Sequence, residues 1–302
     1  MIGQAVPARR AAATTRLSRV ARLTRVRIWR RQFGLQLIAV ALGIVLMLPF
    51  YWAAISSLKQ MQEVRQLPLL WWPSVAQWQN YLDVWNVRFF PSWVLNSILL
   101  TAIATTGTVV SSSLAGYAFA RFRFPGRNLL FSLTLATLML PAYVLLIPNY
   151  MLFWKLGWLN TYLPLTVPFW FGSAFFIFLF RQFFMTIPME LDDAARIDGA
   201  SYPRILWSIM LPLSAPVYAT AAIIEGINQW NSFLRPLIIL NRPESYPLSV
   251  GIRYFVVNPG DNLPKDHLLM AAAVIMTLPV IILFIIGQRS FIRGVVMSGI
   301  KG

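Results

Sequence analysis

Residues 185–213 read MTIPMELDDAARIDGASYPRILWSIMLPL, a polar and acidic island set between long apolar runs. Thr186 is placed to cap a first short helix with Pro188 in its opening turn, and Glu190, Asp192 and Asp193 then put negative charge where the helix dipole favours it. Ala194 and Ala195 add helix propensity with almost no side chain, which lets another protein surface approach the backbone. Gly199 permits a sharp change of direction. Ser201 is placed to cap a second helix with Pro203 in its first turn, and Leu211-Pro212 leads into the next apolar run. The expectation is a rigid helix-turn-helix knob projecting from a membrane domain, a mechanical contact; the plain alternative is an ordinary amphipathic hairpin.

Composition sets the class around this island. Hydrophobic residues make up 58% of the 302 and charged residues 12%, too apolar for a soluble fold of this length. An all-α integral membrane protein is expected. The chain has no Cys, which excludes disulfides, thiolate catalysis and Cys-based metal sites, and its single His, His267, leaves no cluster for zinc. No metal site is expected.

Six segments reach the ~20 apolar residues that a bilayer core requires. They lie at about Leu35–Ile55, Val94–Ala118, Leu129–Ile147, Leu163–Phe180, Leu213–Gln229 and Leu268–Ile286, so the island falls between the fourth and the fifth. Pro141, Pro148, Pro164 and Pro168 interrupt the third and fourth, freeing carbonyls and allowing the bends that moving walls need. Ser112 and Gly116 form a small-xxx-small pair beside Ser111 and Ser113 in the second, and close helix packing is their expected use.

The formal net charge of +16 would point to nucleic acid in a soluble protein, but its distribution points elsewhere. Residues 1–34 hold nine Arg and no acid directly before the first apolar segment, which reads as a cytosolic arm on anionic headgroups ahead of a membrane domain over 35–302. No nucleic-acid reading surface follows, and the first apolar run lacks the cleavage pattern of a secretory signal. With a cytosolic amino terminus, the inner segments carry nine, three, three and three Arg or Lys, and the outer loops share the other eight of 26. Positive-inside bias then puts both termini and the island in the cytosol. The outer loop 56–93 carries Trp71, Trp72, Trp78, Trp85 and Trp93, read as an aromatic headgroup belt, with stacking on sugar rings or contact with an external partner as the alternatives, and Asn149–Thr161 reads as an interfacial helix. No segment makes an independent soluble domain, so capture of a solute from outside calls for another protein.

Chemistry by the chain itself has little to stand on. Gly294 and Gly299 have the glycine spacing of a phosphate-binding loop, but Ile300 separates Gly299 from Lys301 and no hydroxyl follows. No G-x-S-x-G occurs. One carboxylate is out of place: Glu225 falls inside the fifth segment, where a charge must be paired or face water. Asn228 and Gln229 lie near it at helical spacing, with Asn231 just beyond. This stripe is a candidate lining for the path of a hydroxylated solute. A polar contact to a partner subunit and proton coupling stay open as alternatives.

The run Asp193-Ala194-Ala195, then Gly199, then Ile209-Met210-Leu211-Pro212, resembles the EAA loop of bacterial ABC importer permeases, with Asp193 where the family more often has Glu. Other stretches resemble the carbohydrate-uptake, maltodextrin-type branch: Leu114 to Arg121 followed by Phe124-Pro125-Gly126-Arg127, Phe180 to Phe184 before Ile187-Pro188, Trp230-Asn231 with Phe233-Leu234 and Pro236-Leu237, and Gln288 to Phe291 with Gly299 to Gly302. The resemblance implies a permease subunit that docks on its ATPase through Glu190, Asp193, Ala194, Ala195, Asp198, Gly199, Ile209, Leu211 and Pro212. A tail from residue 287, with Gln288, Phe291, Gly299, Lys301 and Gly302, would lie against the same ATPase. It further implies a second homologous permease subunit, two cytosolic ATPases that bind Mg-ATP, an external solute-binding protein, a carbohydrate substrate and a place in the bacterial inner membrane, with no cofactor on this chain. The competing reading, an ion-gradient-driven transporter or channel, would call for intramembrane charge pairs and often internal repeats. Glu225 stands alone and no repeat is evident.

Overall fold

The computed structural model describes residues 7–141, 143–256 and 265–299, with side chains described only between 32 and 287. Among the described residues there is no strand, and the chain is an all-α polytopic membrane protein. Residues 1–55 and 56–302 form two compact units. The first unit is essentially one helix, α1 (Pro7–Ser56), in which the Arg-rich arm runs without a break into the apolar segment. Its side chains from Phe33 to Phe50 are exposed, as a surface meant for lipid would be.

The second unit is built on α2 (Phe90–Arg121), whose 32 residues make a rod of about 47 Å. Two short helices precede it, Met61–Val64 and Gln79–Trp85. After it come α3 (Arg127–Ala136), α4 (Leu146–Lys155), a bent stretch over Leu163–Phe171, and α5 (Ala174–Phe184). The island supplies α6 (Glu190–Ile197) and a second arm from Tyr202 to Leu213, which contains a widened π turn over Leu206–Met210. Then follow α7 (Ala215–Trp230), the short helices Leu234–Ile239 and Leu248–Gly251, and α8 (Asp266–Gly299).

Among the described residues, four stretches are long and apolar enough to cross a bilayer: Gln32–Ser56, Phe90–Arg121, Leu163–Phe184 and Asp266–Gly287. A fifth forms if Tyr202–Leu213 and Ala215–Trp230, bent by 81° at Ser214, count as one. The expected segment at 129–147 is not one continuous helix. It divides into α3, a 3-10 turn at Thr137–Met139 and the start of α4, with Pro141 at the break, where a proline removes a helical hydrogen bond and clashes with the turn before it. α8 continues through Gly294 to Gly299 without a break.

Close approach of α2 and α5 sets the frame. A Cβ on Gly116 would stand 2.7 Å from the Phe180 Cβ and 3.0 Å from the Arg181 backbone nitrogen, so only glycine fits. Four residues earlier, Ser112 accepts a hydrogen bond from the Ser173 N–H at 3.0 Å. The small pair thus does what its spacing predicts. At the amino-terminal end of α2 the segment 243–248 is fastened by polar bonds. Trp93 donates to the Pro243 carbonyl at 2.7 Å, the Asn96 amide donates to the Glu244 and Tyr246 carbonyls at 2.9 and 3.0 Å, and the Leu248 N–H donates to Ser97 at 2.7 Å. Trp93 is therefore 1% exposed and belongs to the core with Phe90, Phe255 and Leu248 rather than to an aromatic belt. Trp71, Trp72, Trp78 and Trp85 are exposed, as the belt reading expects.

The loop 57–80 is held by its own polar contacts. Asn80 donates to the carbonyls of Ser57 and Lys59 at 2.8 and 2.9 Å, and Glu63 accepts from the Ser74 hydroxyl. That hydroxyl, more than any other neighbour, holds the Glu63 carboxyl below its usual 4.5. A depressed pKa contributes stability above the unfolded value and loses it as the pH falls through the folded one. Ser74→Ala is accordingly expected to move the acid transition of this loop to higher pH, followed by tryptophan fluorescence. Gly116→Ala is expected to destabilise the protein by about 1–3 kcal/mol through overpacking, read as a lower melting temperature in detergent.

Candidate functional site: the elbow and the buried carboxylates

The island is an elbow at the carboxy-terminal end of α2, opposite the end fastened to 243–248. Its first expected cap is not used: α6 starts at Glu190 with Met189 as N-cap, and the Thr186 hydroxyl instead donates back to the Phe183 carbonyl at 2.7 Å, closing α5. Glu190, Asp192 and Asp193 do occupy the first turn of α6, where the positive end of the dipole stabilises them. Gly199 has φ of +79°, and nothing lies within 4 Å of a Cβ built there. The turn therefore needs glycine for its backbone and has open space beside it. Ser201 is the N-cap of the second arm in extended geometry, without a side-chain hydrogen bond, and Pro203 follows in its first turn.

Helical spacing divides the elbow into two faces. Asp192 and Ala195, three residues apart, are buried, while Glu190, Asp193, Ala194, Asp198 and Gly199 are exposed. Ile197 is 86% exposed, with Leu191 and Met189 exposed beside it. The outward surface is thus acidic with an apolar tip. Ala195 serves the interior instead, in a core cluster with Tyr117, Phe180, Phe184, Ile205 and Met210. Ile209 and Leu211 are half-buried and Pro212 is exposed. A cleft of about 690 Å³ lies beside the elbow, lined by Arg121, Phe122, Arg123, Phe124, Asp193, Arg196 and Tyr202 among others.

Sequence reading missed the contact that holds the elbow down. The Nε of Arg121 lies 2.8 Å from Oδ2 of Asp192, with both side chains 6% exposed. It is an ion pair without a hydrogen bond along it: among the described residues, Arg121 Nε and both Asp192 oxygens have no hydrogen-bond partner. Burial pushes the Asp192 carboxyl above its usual 3.8, against the downward pull of Arg121. Removing one member of such a pair costs about 3–5 kcal/mol because the other charge is stranded, although the intact pair adds little stability over apolar packing. The available signal was the register of α6, which turns Asp192 and Ala195 inward together while Asp193 faces out.

Within the membrane unit, Glu225 is 6% exposed and hydrogen-bonded. Its Oε1 accepts from the Gln229 amide at 2.6 Å and from the Thr108 hydroxyl at 3.3 Å. Asn228 and Asn231 do not join it; both are exposed, and the Asn231 amide donates to its own helix at Ile227. Gln229 also lines a cavity of about 20 Å³ with Ser97, Ser232 and Arg235, room for one water at most. Of the tail residues, Gln288, Phe291 and Gly299 lie in α8 with side chains outside the described residues, and Lys301 and Gly302 lie outside them altogether. Among the described residues no cluster of three metal-ligating side chains occurs.

A polytopic helical bundle with an exposed acidic elbow at one end is the form of a transporter's membrane subunit. The chain belongs to the family of binding-protein-dependent transport system inner membrane components, which matches residues 107–297, more than half of its length. It is 36% identical to the arabinooligosaccharides transport system permease protein AraQ of Halalkalibacterium halodurans over 78% of this chain and 84% of that one. It is 37% identical to the sn-glycerol-3-phosphate transport system permease protein UgpE of Pectobacterium atrosepticum over 86% of this chain and 95% of that one. Among solved structures, a chain of a bacterial ABC transporter involved in the import of the acidic polysaccharide alginate superposes with a TM-score of 0.76 at 25% identity, over 86% of this chain and 96% of that one. The family is one of transport components rather than of enzymes.

Gln229→Ala leaves the Glu225 carboxylate with Thr108 as its one remaining partner on Oε1. It is expected to lower stability by about 1 kcal/mol, the net worth of one lost hydrogen bond. The loss should be smaller when Glu225→Gln is already present, a coupling that a double-mutant cycle of melting temperatures measures.

Proposed function

We propose that this chain is the membrane-spanning permease subunit of an ATP-driven importer of a carbohydrate or carbohydrate-like solute. The elbow carries the reading: an acidic, small-residue surface turned at Gly199 and held at the opposite end of α2 from Trp93. Positive-inside charge puts that end and both termini in the cytosol. The partners are two cytosolic ATPases that bind Mg-ATP, a second homologous permease and an external solute-binding protein. The transport roles named for AraQ and UgpE support a solute of the sugar or glycerol-phosphate class. In a six-crossing reading the fifth crossing is α7, entered through the bend at Ser214, and the third runs through α3, the 3-10 turn and the start of α4.

The mechanism follows from linkage. Closure of the ATPase dimer on ATP displaces the surface of Glu190, Asp193, Ala194, Asp198 and Gly199, with the tail of α8 against the same partner. The bundle then changes the side to which its path opens. Solute and nucleotide drive the cycle only through unequal affinity for the two states. The Glu225–Gln229 pair is a polar element of the path wall.

The test is reconstitution. Tagged chain is expected to recover the ATPase subunits, and Gly199→Trp is expected to lose them, because the bulky side chain enters the open space of the contact and an L-residue at that φ costs about 1–2 kcal/mol. Uptake should stop on ATP depletion and persist with an uncoupler; the reverse pattern would establish the ion-gradient reading instead.

A further inference from the structure

Arg121 lies off the outward docking surface, yet its guanidinium touches three segments of the elbow. It pairs with Asp192 on α6, donates to the Ile187 carbonyl at 3.0 Å in the connector from α5, and reaches the sulfurs of Met189 and Met210 at 3.5 and 3.8 Å. Met210 ends the π turn that leads toward α7. One side chain, on the last residue of α2, therefore joins that rod to three separate segments of the elbow.

The nature of the Asp192 contact matters as much as its place. Coulomb attraction depends on distance and not on angle, whereas a hydrogen bond weakens steeply when bent. An ion pair with no hydrogen bond along it resists separation but tolerates rotation. Its burial protects it from the salt screening that weakens exposed pairs. The apolar cluster of Ala195 and Tyr117 opposes compression of α6 onto the bundle; the ion pair opposes its withdrawal.

We propose that Arg121 and Asp192 form the swivel joint through which displacement of α6 pulls on α2, making Arg121 a positioning residue that ties solute movement to nucleotide hydrolysis. The proposal rests on α6 being the ATPase contact.

The complete importer in liposomes, with its partner permease, ATPases and binding protein, provides the test. Uptake and ATP hydrolysis are measured on the same preparation for Arg121→Met and for the near-isosteric Asp192→Asn. Both variants are expected to retain the ATPases and hydrolyse ATP while moving about tenfold less solute per ATP, within the span of ordinary allosteric couplings. The exchange Arg121→Asp with Asp192→Arg is expected to recover part of that ratio. A contact that only supports the fold would lower uptake and hydrolysis together. A preserved ratio in both single variants, or failure of both to assemble, overturns the proposal. Absence of ATPases from the unaltered chain would instead overturn the docking reading beneath it.

Discussion

Everything in the larger unit depends on how closely α2 and α5 approach. Gly116 has no room for a methyl group against Phe180, and Ser112 substitutes a hydroxyl for a missing backbone partner at Ser173. In a bilayer, where lipid is as apolar as the helices, association rests on such fit and on hydrogen bonds rather than on hydrophobic burial. Because α5 runs directly into the elbow, the same fit places Phe180 and Phe184 under the elbow's inner face and lets Ala195, Ile205 and Met210 close over them.

Two polar arrangements then divide the labour along α2. At one end, the indole of Trp93 and the amide of Asn96 bind backbone carbonyls of 243–246, directional bonds that fix geometry. At the other end, Arg121 holds the elbow mainly by charge. Between them, Thr108 and Gln229 satisfy Glu225 from α2 and α7, so the costly charge inside the membrane becomes a contact between helices. Its sequence position announced a cost, and the structure shows the partners that meet it.

Much of this was legible in the residues, for physical reasons that differ by element. Apolar length exposed the long helices, because bilayer thickness is a fixed yardstick. Gly199 and the Ser112/Gly116 pair were legible because a positive φ and a close backbone approach each admit few residue types. The cap at Thr186 was misjudged, since its hydroxyl found the end of α5 before the start of α6. The segment at 129–147 has the right hydropathy, but Pro141 interrupts it, and a window average does not register one missing hydrogen bond. Trp93 resembled its exposed neighbours in 56–93 until a carbonyl 150 residues away received its N–H. The Arg121–Asp192 pair joins positions far apart in the chain, and only the register of a short helix told Asp192 from Asp193.

The bend of 81° at Ser214 has a consequence of its own. A straight rod pushed at its tip transmits only thrust along its length, whereas a crank converts a tangential push into a turn of its shaft. With Tyr202–Leu213 as the crank arm and α7 as the shaft, a sideways shove on the arm would roll α7 about its long axis. The Glu225 side of α7 would then face a new neighbour without any helix having to slide through the lipid.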